Sequence, residues 1–384
     1  MDLDLTHPAL SDLRAACRRR IPHFVWEYVD SATGTESVKM RNRAALDGIL
    51  LRPAALAGKI TPDLRTTFLG QEQALPFGIA PVGMSGLVWP GAEQMLARLA
   101  VAERIPYGLS TVATRLPEEI GPLAGDRGWF QLYPPTDPDI RRDLLLRARS
   151  TGFRTLILTV DVPGTSRRER QRRAQLSFPP KLTPLMLYQM AIRPEWALRT
   201  LKNGTPRLRL MEEYLKPDRN APSTGHAGYL LRAAPDWNYL AATRAEWDGP
   251  MVVKGVLEPE VAVRLKSEGV DAVWVSNHTG RQFDGAPAAI DVLAEVRAAV
   301  GPDYPLIFDS GVETALDILR GFARGANFVM LGRGFHYALG AFGARGAAHL
   351  VHILREGLIA DMAQLGITRP EQVTTRLMER GPSG

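Results

Sequence analysis

The sequence predicts an α/β protein built on a closed (β/α)8 barrel of the TIM type. An N-terminal helical extension precedes the barrel, and a long insertion parts its fourth and fifth strands. Three observations carry this. Short runs rich in β-branched or aromatic residues recur eight times along the 384 residues. Most stretches between them are amphipathic at helical period, and such alternation calls for a parallel sheet. Eight repeats in one chain suit a closed barrel better than an open doubly wound sheet, the alternative at this point.

The runs, in order, are Phe77-Gly-Ile-Ala-Pro81, Tyr107-Gly-Leu-Ser-Thr111, Trp129-Phe-Gln-Leu-Tyr133 and Thr155-Leu-Ile-Leu-Thr-Val-Asp161. The second half supplies Met251-Val-Val-Lys-Gly255, Ala272-Val-Trp-Val-Ser-Asn-His278, Leu306-Ile-Phe-Asp-Ser-Gly311 and Phe328-Val-Met-Leu-Gly-Arg333. Helices are expected over Pro259–Glu268 and Ala288–Val300, and in the extension over Ser11–Arg20 and Glu36–Asp47. One domain spans 1–384, with the extension over 1–70 and the barrel over 71–162 and 250–350. The insertion with the fourth helix takes 163–249, and a helical segment closes the chain over 351–384. Inside the insertion, Thr183-Pro184 reads as a helix start, a hydroxyl cap followed by proline. Asp236 caps a second helix, and Lys216–Gly225 reads as a mobile loop between them. A long insertion at the mouth of a barrel usually covers or gates the site.

A formal charge of +6 favours an anionic partner. The densest basic run, Arg167 to Arg173, has no interleaved aromatics and matches no nucleic-acid module, so nucleic acid is not expected. A solvated basic face is its ordinary reading. The lone Cys17 rules out an intrachain disulfide and fits a reducing compartment such as the cytoplasm. The opening residues MDLDLTHPAL lack the pattern of a secretory leader. No apolar run reaches the roughly 18 residues of a membrane span, and no metal-ligand set is assigned.

In such barrels the C-terminal strand ends carry the chemistry. Here they are polar at seven of eight ends: Ser110 and Thr111, Gln131 and Tyr133, Thr159 and Asp161, Lys254, Ser276-Asn277-His278, Asp309, and Gly332-Arg333. Glycines and an arginine after the seventh and eighth runs suit a phosphate. Lys254 is either a Schiff-base nucleophile or a cation beside a ring that gains electrons. His278 suits a proton acceptor and Arg281 a carboxylate clamp, with Asp161 placed to bond the histidine.

Ser276-Asn-His-Thr-Gly-Arg-Gln-Phe-Asp-Gly285 resembles the signature of the FMN-dependent 2-hydroxy acid dehydrogenases and oxidases. The likeness runs from about Pro22 to the C-terminal helix. It includes Ile79-Ala-Pro-Val-Gly, Leu109-Ser-Thr, Phe130-Gln-Leu-Tyr, Leu158-Thr-Val-Asp-Val-Pro, Arg167-Arg-Glu-Arg, Val253-Lys-Gly and Asp309-Ser-Gly-Val. The resemblance implies FMN as cofactor and an L-2-hydroxy acid, lactate or a larger acid such as mandelate, as substrate. It implies His278 as base with Asp161 holding it, and Tyr133 on the substrate hydroxyl. Arg281 and Arg168 would grip the carboxylate with Tyr28. Ala80, Pro81, Val82 and Gly83, with Ser110, Gln131 and Thr159, would hold the flavin ring. Lys254, grouped with Ser276, would lie at its N1/O2 edge, Asp309 on the ribityl chain, and Gly311, Gly332 and Arg333 on the phosphate. His278 would take a proton from the hydroxyl if a hydride moves, or from Cα if a carbanion forms.

Thr279 stands where relatives have glycine, and Glu313 where many have arginine near the phosphate. Gly83 and Val112 are smaller than the residues of plant glycolate oxidases, which points to a larger pocket. Ala80–Pro90 and Arg193–Gly204 look most like the lactate and mandelate dehydrogenase branch. That branch implies a homotetramer and a quinone acceptor reached from the inner face of the cell membrane. Leu182, Leu185, Met186, Leu187, Met190 and Trp196 in the insertion suit such a monotopic contact, or else packing on the barrel or a subunit. The alternatives are an oxygen-using oxidase releasing hydrogen peroxide and, in another class, a non-redox phosphate-binding barrel.

Overall fold

A computed structural model describes residues 2–176, 183–214 and 234–378. The hairpin β1 (Thr66–Phe68) and β2 (Gln71–Gln73) precedes eight parallel strands. These are β3 (Phe77–Ile79), β4 (Tyr107–Ser110), β5 (Gly128–Leu132), β6 (Thr155–Thr159), β7 (Met251–Val256), β8 (Ala272–Val275), β9 (Leu306–Phe308) and β10 (Phe328–Leu331). They close in chain order, β10 pairing with both β9 and β3. All eight expected runs are barrel strands. The polar residues at their ends lie at or just beyond the last paired residue, where the chain is free to turn.

Side chains alternate across each strand. Outward residues such as Leu156, Leu158, Val253 and Val273 join the shell of helices in the main core. Inward residues form a second core of Trp129, Ile157, Val252, Ala272, Trp274, Ile307, Phe328 and Met330. Phe68, at the end of β1, closes the floor: its ring stacks on Phe328 at 5.1 Å and on Trp129 at 6.2 Å. The hairpin thus belongs to the barrel although it crosses the expected boundary at residue 70.

The extension folds as expected into helices Leu10–Arg20 and Ser37–Asp47, with His23–Asp30 between them. Helix Arg333–Leu365 continues straight from β10 and bends at Phe342 and Gly343, so the change of direction lies before the expected break at 350. Its Gly340 permits close approach of Leu10–Arg20, since a Cβ there would stand 2.4 Å from Cys17 Sγ. Cys17 is therefore a packing residue, and burial pushes its thiol far above the ordinary range.

In the insertion, Thr183 Oγ1 accepts from Met186 N at 3.3 Å and caps Pro184–Ala191. Asp236 Oδ1 accepts from Tyr239 N at 2.8 Å and caps Trp237–Glu246. The apolar set of this insertion divides. Met186 and Trp196 are buried, and the Trp196 indole donates to the Leu87 and Val88 carbonyls at 3.1 and 3.2 Å. Met190 also packs on the core. Leu185, Leu187, Tyr188, Leu198 and Leu201 are 49–77% exposed. Leu182 and the expected loop Lys216–Gly225 lie outside the described residues.

Truncating Phe68 to alanine removes the ring that closes the floor. We expect a loss of about 3 kcal/mol by denaturant unfolding, with the far-UV circular dichroism of the folded fraction unchanged.

Candidate active site

The barrel interior changes character at one level. Two residues beyond the apolar inward positions Trp129, Ile157, Val252, Trp274 and Ile307 stand Gln131, Thr159, Lys254, Ser276 and Asp309. The two-residue period thus places five polar groups in one layer at the mouth. Burial requires each to have partners. Ser110 Oγ donates to Gln131 Oε1 at 2.7 Å, and Gln131 Nε2 donates to Thr159 Oγ1 at 2.9 Å. Lys254 Nζ donates to Ser276 Oγ at 2.8 Å, lies 3.4 Å from Asp309 Oδ2, and sits 5.2 Å above the Trp274 ring. A register shift between β7 and β8 falls right after Lys254. Gly255 there has φ +100°, and a Cβ on it would press within 2.5 Å of Asp161. The Val253-Lys-Gly motif therefore aims the lysine and leaves room for the aspartate.

Beyond β8 the backbone enters the left-handed region at His278 (φ 53°), Thr279 (52°) and Gly280 (73°). This turn brings His278 Nδ1 to 3.1 and 3.0 Å from the two carboxylate oxygens of Asp161. Nδ1 is thereby fixed as the protonated nitrogen, and Nε2 is the basic one. Burial lowers the His278 pKa, and Lys254 and Arg168 add to this. Asp161 opposes the shift without cancelling it, so the imidazole is neutral in the resting site, not the imidazolium that a carboxylate alone would favour. Burial pushes Asp161 upward, but His278 and Lys254 outweigh it and the group stays a carboxylate.

Asn277 is pinned from the extension. Its side-chain amide and that of Asn42 exchange hydrogen bonds at 2.7 and 2.9 Å. Arg281 Nη1 donates to the Tyr28 carbonyl at 2.9 Å, and its guanidinium stands 5.3 Å from the Tyr28 ring centre. Tyr28 Oη donates to the Gly83 carbonyl at 2.8 Å. Arg168, itself left-handed at φ 46°, bonds through Nε only to Ser166 Oγ, at 3.0 Å. Neither Arg168 nor Arg281 has a carboxylate partner among the described residues. Burial and the nearby Arg168 hold Arg281 down to about 10. Burial and Asp161 push the Tyr133 hydroxyl up to about 12, so it stays a proton donor. Two half-buried guanidinium groups facing one cavity with no carboxylate partner among the described residues, and a neutral imidazole beside them, are short of one anion.

At the far end, Ser310 Oγ donates to Asp309 Oδ1 at 2.7 Å. Gly311 has φ +100°, and a Cβ there would meet Asn42 Cβ at 3.1 Å, so helix Ser37–Asp47 lies directly on this loop. Gly332 precedes the helix that opens with Arg333, whose Nη1 donates to the Asp30 carbonyl at 3.0 Å. The fully buried His336 ties this turn to the loop after β3. Its Nδ1–H donates to the Gly332 carbonyl at 3.0 Å and its Nε2 accepts from Ser85 Oγ at 2.7 Å. Burial holds His336 near 4, in the neutral form that this bridge needs.

These residues line one cavity of about 490 Å³, within the range of roughly 300–1,000 Å³ usual for small-molecule sites. His278, Arg281, Arg168, Tyr28 and Tyr133 line it, and so do Gly311, Gly332 and Arg333 of the turns after β9 and β10. Ala80, Pro81, Val82, Gly83, Gln131, Thr159, Lys254 and Asp309 complete the lining. The donor set fits FMN: amide, hydroxyl and ammonium groups for a polar ring edge, a carboxylate for a polyol, and backbone N–H groups with arginine for a phosphate. Ser110, Ser276 and Asp161 are not on the wall. Each acts through Gln131, Lys254 or His278, a distinction that strand-end position does not reveal. Gly83 and Val112 do not simply add space, because a Cβ on Gly83 would stand 2.5 Å from Val112 Cγ2. The valine methyl already takes much of the room that the glycine leaves.

The extension supplies groups that strand-end reasoning passed over: Lys39 and Arg43 on the wall, and Asn42 behind it. Asn42 had a legible signal, a polar residue between Val38 and Leu46 on the buried face of its helix. The basic run divides likewise. Arg168 faces the cavity, whereas Arg170 is spent on Glu27 at 2.5 Å and on Asp30 and Glu36 at 3.1 Å.

The family model for FMN-dependent dehydrogenases matches residues 17–380. An L-lactate dehydrogenase of Pseudomonas syringae pv. syringae is 35% identical over 372 residues, 96% of this chain and 97% of that protein. One from Pectobacterium atrosepticum is 36% identical over 373 residues, covering 96% and 95%. Among solved structures, the monotopic membrane protein (S)-mandelate dehydrogenase superposes with a TM-score of 0.89 at 29% identity, over 97% of this chain and 99% of that one. A mandelate oxidase superposes with a TM-score of 0.79 at 30% identity, covering 97% and 98%.

Thr279 holds a left-handed conformation that a β-branched residue adopts at a cost. Thr279→Gly should therefore raise stability by about 1 kcal/mol in denaturant unfolding, as relief of backbone strain requires.

Proposed function

The chain belongs to the FMN-dependent dehydrogenase family, and from that membership we propose how its residues divide the work of oxidising an L-2-hydroxy acid. The enzyme uses FMN and converts the L-2-hydroxy acid to the 2-keto acid. The observation that carries the assignment of residues is the pair of uncompensated guanidinium groups beside a neutral, carboxylate-bound histidine. Arg281 and Arg168 bind the substrate carboxylate, which restores the charge balance of the cavity. Tyr133 orients the substrate by a hydrogen bond, and the Tyr28 hydroxyl, which donates to the Gly83 carbonyl in this structure, turns to the substrate carboxylate when it is bound. His278 Nε2 accepts the substrate proton, and the resulting imidazolium is stabilised by Asp161 at Nδ1. Bound FMN supplies the acceptor for the two electrons. Lys254 holds positive charge, preorganised by Ser276 and Asp309, at the ring edge where negative charge arrives.

For the substrate we propose lactate or a larger acid such as mandelate, in line with the L-lactate dehydrogenase and (S)-mandelate dehydrogenase relatives. For the acceptor we propose a quinone, met at a peripheral membrane contact. The exposed Leu185, Leu187, Leu198 and Leu201 favour this, and no described helix is long and apolar enough to cross a membrane. The likeness to a mandelate oxidase supports the second reading, oxygen as acceptor. Brisk oxygen consumption by protein that stays soluble without detergent would decide for the oxidase.

His278→Ala should keep FMN bound while anaerobic flavin reduction by substrate slows roughly 10²–10⁴-fold; normal reduction would refute the base. The base works deprotonated, and burial lowers its pKa. In the unaltered enzyme kcat/KM should therefore rise with pH on a limb below the ordinary imidazole range and level off above it. A limb shifted upward would contradict the neutral resting histidine.

A further inference from the structure

We propose that Lys39, in the first turn of helix Ser37–Asp47, is a phosphate-binding cation of the cofactor site and acts beside Arg333. The proposal rests on the reading of the cavity as an FMN site and adds to it a ligand from outside the barrel.

Lys39 Nζ and Arg333 Nη1 converge on a single carbonyl oxygen, that of Asp30, at 2.7 and 3.0 Å. Both side chains line the cavity, Arg333 directly after Gly332 and Lys39 on the helix whose Asn42 lies against Gly311. Two cations brought to one acceptor repel each other unless an anion sits between them. The Asp30 carboxylate does not fill that role. It is shared with Arg14 Nη2 at 2.6 Å, Tyr337 Oη at 2.9 Å and Arg170 Nη1 at 3.1 Å, which leaves Lys39 Nζ at 3.3 Å; the Glu36 carboxylate stands farther from Lys39, at 3.7 Å, and is itself paired with Arg170 at 3.1 Å. Burial and the nearby Arg333 outweigh Asp30 and Glu36, so the Lys39 ammonium is held below its usual range. An arriving dianion relieves this. Arg43, one turn on, is not the missing ligand, because its donors are occupied by Asp47, Asp317 and the Gly311 carbonyl.

The same helix is fixed against the phosphate loop by independent contacts. Asn42 and Leu46 lie where a Cβ on Gly311 would touch them, and Arg43 Nη1 donates to the Gly311 carbonyl at 3.1 Å. The position of Lys39 is therefore set by packing, not by a loose side chain. Glu313, two residues after Gly311, also lines the cavity and supplies no positive charge there. Lys39 supplies from the extension the second cation that the loop after β9 lacks.

The test compares two flavins that differ only in the phosphate. The full-length protein, freed of flavin, is titrated with FMN and with riboflavin by fluorescence quenching. Lys39→Gln keeps a donor to the Asp30 carbonyl but removes the charge. It should weaken FMN binding about tenfold or more while riboflavin binding stays within about twofold. Lys39→Met, which removes both, should narrow the gap between the two flavins at least as far, and this ratio is readable even if the variant is less stable. Unchanged FMN affinity, or equal weakening of both flavins, would overturn the phosphate role. Failure of the unaltered protein to bind FMN would instead overturn the cofactor reading itself.

Discussion

A buried polar group must be partnered, and this constraint governs the mouth of the barrel. Closing eight strands leaves an apolar floor, which Phe68 and its stacked neighbours fill with no polar demand. The other end ends in a layer of amide, hydroxyl, ammonium and carboxylate groups. Each is held by a neighbour: Gln131 between Ser110 and Thr159, Lys254 by Ser276 near Asp309, His278 by Asp161. Arg168 and Arg281 are hydrogen-bonded but have no carboxylate partner among the described residues, and chemistry is expected where a charge is left uncompensated. Their shortage of one anion matches a substrate whose defining group is a carboxylate.

The N-terminal extension braces the mouth of the barrel by hydrogen bonds. Asn42 satisfies Asn277 next to the histidine, Tyr28 meets Arg281 and Gly83, and the Asp30 carbonyl receives Arg333. The insertion works differently. Its inner residues, Met186 and Trp196, are part of the core, and its outer leucines are left to solvent. One segment thus both packs on the barrel and presents an apolar face, so packing and surface contact are not alternatives there.

Much of this was legible in the chain. The eight strands follow from residue period alone, since β-branched runs end where polar residues and glycines begin. The polar layer follows from the two-residue alternation that carries Trp129 to Gln131 and Val252 to Lys254. What sequence position conceals is which polar group faces the cavity and which stands behind it. Ser276 and Ser110 sit at strand ends just as Lys254 and Gln131 do, yet they support those residues from within the wall. Long-range pairings such as Asn42 with Asn277, 235 residues apart, leave only a faint trace, a polar residue on an apolar helix face. The joint fit of Gly83 and Val112 was hidden too, because a methyl from one strand end fills the gap at another. The left-handed backbone at Thr279 is not announced by the residue itself; its one trace is the glycine that relatives more usually carry there.

The most direct measurement is anaerobic titration of the purified flavoprotein with the two enantiomers of lactate and of mandelate, followed by flavin absorbance. The account predicts bleaching of the oxidised flavin band by an L-enantiomer, with the D-enantiomer inert at equal concentration. Loss of the band with both enantiomers alike, or with neither, would contradict a site in which two arginines fix the carboxylate and one histidine takes the proton.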